Sequence, residues 1–164
     1  MIPIASPLNI IDFAVLEFQF KFVPPKAKPE LDLKQYFDKY ELDIDFTINT
    51  SDKIQVFIKA EINRGKKILP GYSILAEIAC VFDFNNEIEI TKEAKHSIEG
   101  FSTIYIALNS LRGFINQITA TGPLGKYIFP SIDLNDLVKK KKLSIIETEK
   151  TDNKVKKNKA ASKK

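Results

Sequence analysis

Residues 42–62 read LDIDFTINTSDKIQVFIKAEI, and this stretch decides the architecture. Leu42, Ile44, Phe46 and Ile48 alternate with Asp43, Asp45 and Thr47, with Glu41 continuing the polar set. After Asn49-Thr50-Ser51-Asp52, the residues Ile54, Val56, Ile58, Ala60 and Ile62 alternate with Gln55, Lys59 and Glu61. Side chains point to opposite faces of a strand at period two, so each run predicts a strand with one buried face. Asn, Thr, Ser and Asp between two such runs predict a tight turn, and two strands joined by a tight turn are antiparallel.

Working outward, the pattern repeats on both sides. From Tyr72, the residues Tyr72, Ile74, Ala76, Ile78, Cys80, Phe82 and Phe84 oppose Ser73, Glu77 and Asp83. Arg64 to Gly71, with Gly65 and Pro70-Gly71, supplies the turn before them. Upstream, Asp12 to Val23 predicts the first strand, with Leu16, Phe18, Phe20 and Phe22 on one side and Glu17, Gln19 and Lys21 on the other. Phe57, Leu75 and Val81 interrupt the polar faces of strands three and four, so a free sheet would expose them unless a partner subunit or a helix covers them. Four strands in succession, with no helix between them, predict an antiparallel sheet. The first connection starts Pro24-Pro25-Lys26-Ala27-Lys28-Pro29, which cannot pair inside a sheet, and continues through Leu31, Leu33, Tyr36, Phe37 and Tyr40. A connection of that length can cross from one sheet edge to the other.

Downstream of Phe84 the period changes. Residues 85–100 are polar and leave helix and loop both open. Ile104, Leu108, Leu111, Ile115 and Ile118 then recur at helical spacing, with Ser102 as the expected N-cap and Thr121-Gly122-Pro123 as the stop. Gly113 falls inside this helix, where glycine costs about 1 kcal/mol relative to alanine, and a close helix approach is one reason for it. Asp133 is the expected N-cap of a last short helix carrying Leu134, Leu137 and Val138, with Lys139 to Lys142 where the helix dipole favours cations. The fold class is therefore α+β: a four-stranded antiparallel sheet with a long crossover loop after strand one, packed with a long helix and a short C-terminal helix. Residues 1–146 are read as one domain and 147–164 as a disordered lysine-rich tail.

Charge follows the same division. Residues 139–164 hold 11 lysines against 3 acids, whereas the preceding 138 hold 14 basic and 18 acidic residues, so a mildly acidic body carries a basic end. No apolar run reaches the roughly 18 residues of a membrane span, and the first residues lack the basic start of a signal peptide. With Cys80 as the lone cysteine, no intrachain disulfide is available, and the reading is a cytoplasmic protein without membrane insertion. The single histidine, His96, sits in a polar stretch between Lys95 and Ser97 and is read as solvent-exposed. No nucleophile elbow, phosphate loop, dinucleotide fingerprint or zinc-ligand spacing occurs. The chain is read as non-enzymatic, with no cofactor and no metal.

Tyr105-Ile106-Ala107-Leu108-Asn109-Ser110-Leu111-Arg112-Gly113-Phe114-Ile115, then Gly122-Pro123-Leu124-Gly125 and Phe129-Pro130-Ser131-Ile132-Asp133-Leu134-Asn135-Asp136-Leu137, resemble the long helix, extended segment and entry to the last helix of SecB, the protein-export chaperone, and its SecB-like relatives. The likeness spans about residues 10–140 and is sharpest from Tyr105 to Leu137. It implies an ATP-independent holdase that binds unfolded polypeptide, such as preproteins, through apolar surface grooves. The implied groove lies between the loop after strand one and the last helix, which assigns Leu33, Tyr36, Phe37, Tyr40, Leu134 and Leu137 to client binding. The same residues also suit a plain seal of the core beneath the loop. The resemblance further implies self-association to a homotetramer, or to a dimer, and a translocation motor ATPase as partner. The sequence departs from the export chaperone in three places. It lacks the Gly-rich, Cys-containing run before the helix, its body is only mildly acidic, and its end is basic; these bear on the motor more than on the fold. The alternatives are a SecB-like chaperone dedicated to one client such as an antitoxin, and a non-catalytic adaptor whose basic tail binds nucleic acid. The tail has no aromatic residue to stack on bases, which favours a solubilising role.

Overall fold

The computed structural model describes residues 5–26 and 32–146. The basic tail at 147–164 and the stretch 27–31 of the first connection lie outside the described residues. Four strands, β1 (Leu8–Val23), β2 (Leu42–Thr50), β3 (Ile54–Ile62) and β4 (Gly71–Phe84), form one antiparallel sheet in the order β1-β4-β3-β2. The first and second strands in sequence thus occupy opposite edges, which is why their connection has to be long. Among its described residues is a short 3-10 helix, Leu33–Lys39, whose first residues are capped by the Asp32 side chain accepting from the Lys34 amide at 3.1 Å.

The alternation expected for β2, β3 and β4 places the core. Val56, Ile58, Ala60 and Ile62 of β3, and Tyr72, Ile74, Ala76, Ile78, Cys80 and Phe82 of β4, are all fully buried. The helix stripe of Ile104, Ala107, Leu108, Leu111 and Ile115 is buried with them. Each such aliphatic side chain contributes about 1.5–3 kcal/mol by leaving water, so this face is the main driving force of the fold. Cys80 is part of it, and burial pushes its thiol up to about 11.

Three readings are corrected by the structure. The first strand starts at Leu8, four residues before Asp12, and is bulged twice, between Ile10 and Asp12 and between Val15 and Glu17. The second bulge leaves Leu16 without a partner in the register. Val15 pairs with Ile78 and Phe18 with Ala76, so Val15 and Phe18 share the core side, and strict alternation through Leu16 fails there. Ser102 is not an N-cap: its backbone is helical and its side chain caps nothing. The helix begins ten residues earlier, at α1 (Lys92–Ser97), where the Thr91 hydroxyl accepts from the Ala94 amide at 3.2 Å. A π turn, Ile98–Ser102, then joins α1 to α2 (Thr103–Thr119), with the Thr103 amide donating to the Ile98 carbonyl five residues back. Finally, Leu75 is nearly buried although it faces away from the helix. Its cross-strand neighbours are Gln19 and Glu61, and Arg64 donates to the Gln19 side chain at 3.1 Å on the same face.

Gly113 has open space where a Cβ would stand, so nothing among the described residues packs closely against it. The described residues divide into two compact units, one up to Phe129 and a second from Pro130 onward. In the second, helix α3 runs over 134–146, and the Asp133 carboxylate accepts from the amides of Asn135 and Asp136 at 2.9 and 3.2 Å, the cap expected from sequence.

Candidate functional site

The crossover turn lies over the corner where β3 passes into β4, and the corner is built to receive it. The β3 strand must reverse within a few residues after Ile62. Asn63 makes the first step with φ +55, a left-handed conformation that asparagine tolerates better than most side chains. Its side chain is fully buried and fully used. The amide nitrogen donates to the carbonyls of Leu69 (2.8 Å) and Tyr72 (2.7 Å), and the amide oxygen accepts from the Leu69 backbone N–H (2.8 Å). The loop is thereby closed on itself before β4 begins at Gly71.

Tyr40 then ties the end of the crossover to this corner. Its hydroxyl donates to the Pro70 carbonyl at 3.0 Å and accepts from the Tyr72 amide at 2.7 Å. Phe37 stands at the centre of an aromatic cluster, with ring centroids 5.5 Å from Tyr40, 5.3 Å from Tyr72 and 5.4 Å from Tyr127. Phe20 of β1 meets Tyr72 edge-on at 4.8 Å. Edge-on and offset contacts of this kind add roughly 0.5–1.5 kcal/mol each beyond area burial. The Tyr72 hydroxyl reaches the segment after α2, donating to the Gly125 carbonyl at 3.0 Å and accepting from the Leu124 amide at 2.8 Å. That segment is also held by Thr119, whose hydroxyl accepts from the Tyr127 amide at 3.0 Å.

Burial of the phenols has an electrostatic consequence. Loss of water raises Tyr40 to about 12, against a smaller opposing effect of its hydrogen bond from Tyr72. Burial likewise raises Tyr127 to about 12, helped by the nearby Tyr40 and Asp38 oxygens. A phenol whose folded pKa lies above its unfolded value of 10.0 stabilises the fold below pH 10, and that contribution disappears as the pH rises through 12. Thermal unfolding is therefore expected to lose stability between pH 10 and 12. Tyr40→Phe, which cannot ionise, is expected to flatten that fall; an unchanged alkaline slope in the variant would contradict the assignment.

Of the residues assigned to client binding from sequence, the structure places four on the crossover. Tyr40 is buried, and Phe37 is half-buried with three aromatic neighbours. Leu33 and Tyr36 are half-buried on the same turn, with the Lys39 ammonium 5.9 Å from the Tyr36 ring centroid. Leu134 and Leu137 are half-buried residues of α3, in the other unit. Tyr72, Tyr127 and Asn63 are not singled out by sequence. Tyr72 sits in the alternating pattern of β4 like any core residue, and Tyr127 lies in a segment without periodicity. Only the unusual Asn63-Arg64-Gly65 start of the turn carries a signal.

Among the described residues there is no cluster of three His, Cys, Asp or Glu side chains able to hold a metal. A cavity of about 410 Å³ at the other end of the sheet is lined by Thr50, Asp52, Lys53, Asp83, Lys95 and Glu99 among others, without histidine or cysteine. His96 is exposed. No helix among the described residues is long and apolar enough to cross a membrane.

No family model matches the chain, and no curated protein matches it. Solved structures do. The SecB-like chaperone of Mycobacterium tuberculosis, solved in complex with a ChAD peptide from the HigA1 antitoxin, superposes with a TM-score of 0.53 at 16% identity, covering 77% of this chain and 91% of that one. The chain has a SecB-like fold. A protein of unknown function from Streptococcus agalactiae is also similar, with a TM-score of 0.43, 7% identity and coverage of 79% of this chain and 100% of that one. The SecB-like fold agrees with the order β1-β4-β3-β2, the long crossover and the single long helix.

Proposed function

We propose that this chain is a SecB-like chaperone that holds an extended, apolar segment of a client polypeptide, with one dedicated client such as an antitoxin. The observation that carries the proposal is the SecB-like fold, shared at 91% coverage with a chaperone solved bound to an antitoxin-derived peptide. The chemistry of the crossover supports it. Leu33 and Tyr36 offer half-exposed apolar surface on a turn held rigid by Tyr40 and Phe37, and a client residue laid on such surface gains about 25 cal/mol per Å² removed from water. Pre-ordering of the turn spares the complex an entropy cost on binding. Burial of apolar surface alone drives the association, so no nucleotide is needed. Client contact by Leu33, Tyr36, Phe37 and Tyr40 of the crossover and, separately, by Leu134 and Leu137 of α3, ATP independence, and residence in the cytoplasm are parts of the same proposal.

Self-association belongs to it as well. Ile10, Phe13, Val15 and Leu16 of β1, and Phe101 and Tyr105 near the start of the long helix, are exposed apolar side chains, more than a small monomer usually shows. A dimer or tetramer built through these elements would cover them. Delivery of preproteins to a translocation motor ATPase is the less favoured reading, since the similar chaperone was solved with an antitoxin peptide.

A photoreactive residue at position 36 separates the dedicated from the general reading. Cross-linking in living cells is expected to trap one dominant polypeptide, encoded near this chain. A broad smear of products would favour general export. Leu33→Ser with Tyr36→Ser is expected to weaken client binding about tenfold or more while the oligomer keeps its size, because neither side chain belongs to the aromatic cluster around Phe37. Unchanged affinity would remove the crossover turn from the groove.

A further inference from the structure

The C-terminal half of α3 reads Lys139-Lys140-Lys141-Lys142-Leu143-Ser144-Ile145-Ile146, and its apolar residues do not face a core. Leu143 is 51% exposed, Ile145 48% and Ile146 46%. At the helical repeat of roughly 100° per residue, Lys139, Lys142, Leu143 and Ile146 fall in one sector, at spacings of three and four. The half-buried Leu134, Leu137 and Val138 fall on the other side of the helix. One face of α3 therefore sets two exposed aliphatic side chains beside two lysines. Lys140 is otherwise engaged, with Asp136 at 2.7 Å.

We infer that this face docks on an anionic lipid surface, as a peripheral contact and not a span. Three features select that occupant. Lysine side chains bury their stems and keep their ammonium groups at the water boundary, which suits a helix lying with Leu143 and Ile146 below the headgroups and Lys139 and Lys142 at their level. The sequence from 139 to 164 carries 11 lysines against 3 acids, so positive charge is concentrated at this end of the chain while the first 138 residues are net acidic. An anionic surface attracts the first and repels the second, which orients the molecule with α3 toward the lipid. Nucleic acid would meet the same charge, yet residues 139–164 contain no aromatic side chain for bases to stack on, and Leu143 and Ile146 would gain nothing from phosphates. The apolar contribution of so few side chains is too small to hold a neutral membrane, so charge and insertion are both required.

The test uses the full chain and co-sedimentation with vesicles of phosphatidylcholine alone or with about 30% phosphatidylglycerol. Binding is expected only to the anionic vesicles, falling steeply as salt shortens the screening length. The exposed double variant Leu143→Ser with Ile146→Ser retains every charge and is expected to bind these vesicles at least about tenfold more weakly. Its helix content and client binding should stay at the wild-type level. Undiminished vesicle binding by that variant, or no sedimentation of the wild type with anionic vesicles, overturns the inference. Retention on polyuridylate in place of vesicles overturns it in favour of nucleic acid.

Discussion

Replacing Asn63 with alanine is expected to lower the unfolding free energy by about 3–5 kcal/mol. Asn63 is fully buried, stands at φ +55 and makes three side-chain hydrogen bonds with Leu69 and Tyr72. Alanine removes all three, takes a partner from one N–H and two carbonyls at a buried corner, and places a Cβ in the left-handed region without the local bonding that makes asparagine tolerable there. Asn63→Gly separates the two causes. It loses the same hydrogen bonds but adopts φ +55 freely, so it should be less damaging than Asn63→Ala by about 1 kcal/mol. Urea unfolding measures both, with the loss expected in the midpoint and the slope unchanged. Equal stability of Asn63→Ala and the wild type would show that the loop closes without this side chain.

Gly71→Ala is expected to cost a similar amount, about 3–5 kcal/mol, for a different reason. Gly71 has φ +115, where any side chain is strained, and a Cβ added there would meet the Tyr40 hydroxyl. That hydroxyl cannot retreat without leaving the Pro70 carbonyl and the Tyr72 amide. Nor can the ring swing away without disturbing the Phe37 cluster. The substitution therefore loosens the crossover turn from the corner, and the client binding proposed for Leu33 and Tyr36 should fall with stability. In a Tyr40→Phe background the hydroxyl is gone, the nearest atom becomes the ring carbon at 3.3 Å, and the added cost of Gly71→Ala should shrink by about 1–2 kcal/mol. A double-mutant cycle measured by denaturation reads this coupling directly. Strict additivity would mean that Tyr40 and Gly71 do not meet.

These two positions also show what sequence makes legible. The period-two alternation of β2, β3 and the second half of β4 carries over into more and less buried faces, because a regular strand with one face on the core leaves its imprint in polarity; in the first half of β4, Ser73 and Leu75 are buried as well. The proline-rich start of the first connection foretells a crossover, and the order β1-β4-β3-β2 shows why it is needed. In β1 the alternation misleads, since a bulge at Leu16 changes phase without changing composition. The start of the long helix is illegible because α1 and the π turn bury no residue, so no apolar stripe marks them. Within the candidate site, Tyr36, Phe37 and Tyr40 stand out as apolar residues in a loop. The support of Phe37 and Tyr40 by Tyr72 and Tyr127 depends on contacts some 30 to 90 residues apart in sequence, which no local period records, and the Asn63 side chain acts only through its bonds to Leu69 and Tyr72.

The central claim, that this chain holds unfolded polypeptide, is met most directly by the aggregation of a reduced, unfolded protein followed by light scattering at increasing ratios of the purified chain, without nucleotide. Suppression that saturates near stoichiometric ratios, and that Leu33→Ser with Tyr36→Ser weakens, is the predicted result. Aggregation that proceeds unaltered at several-fold molar excess of the wild-type chain, both for a generic unfolded protein and for the polypeptide trapped by cross-linking at position 36, would contradict it.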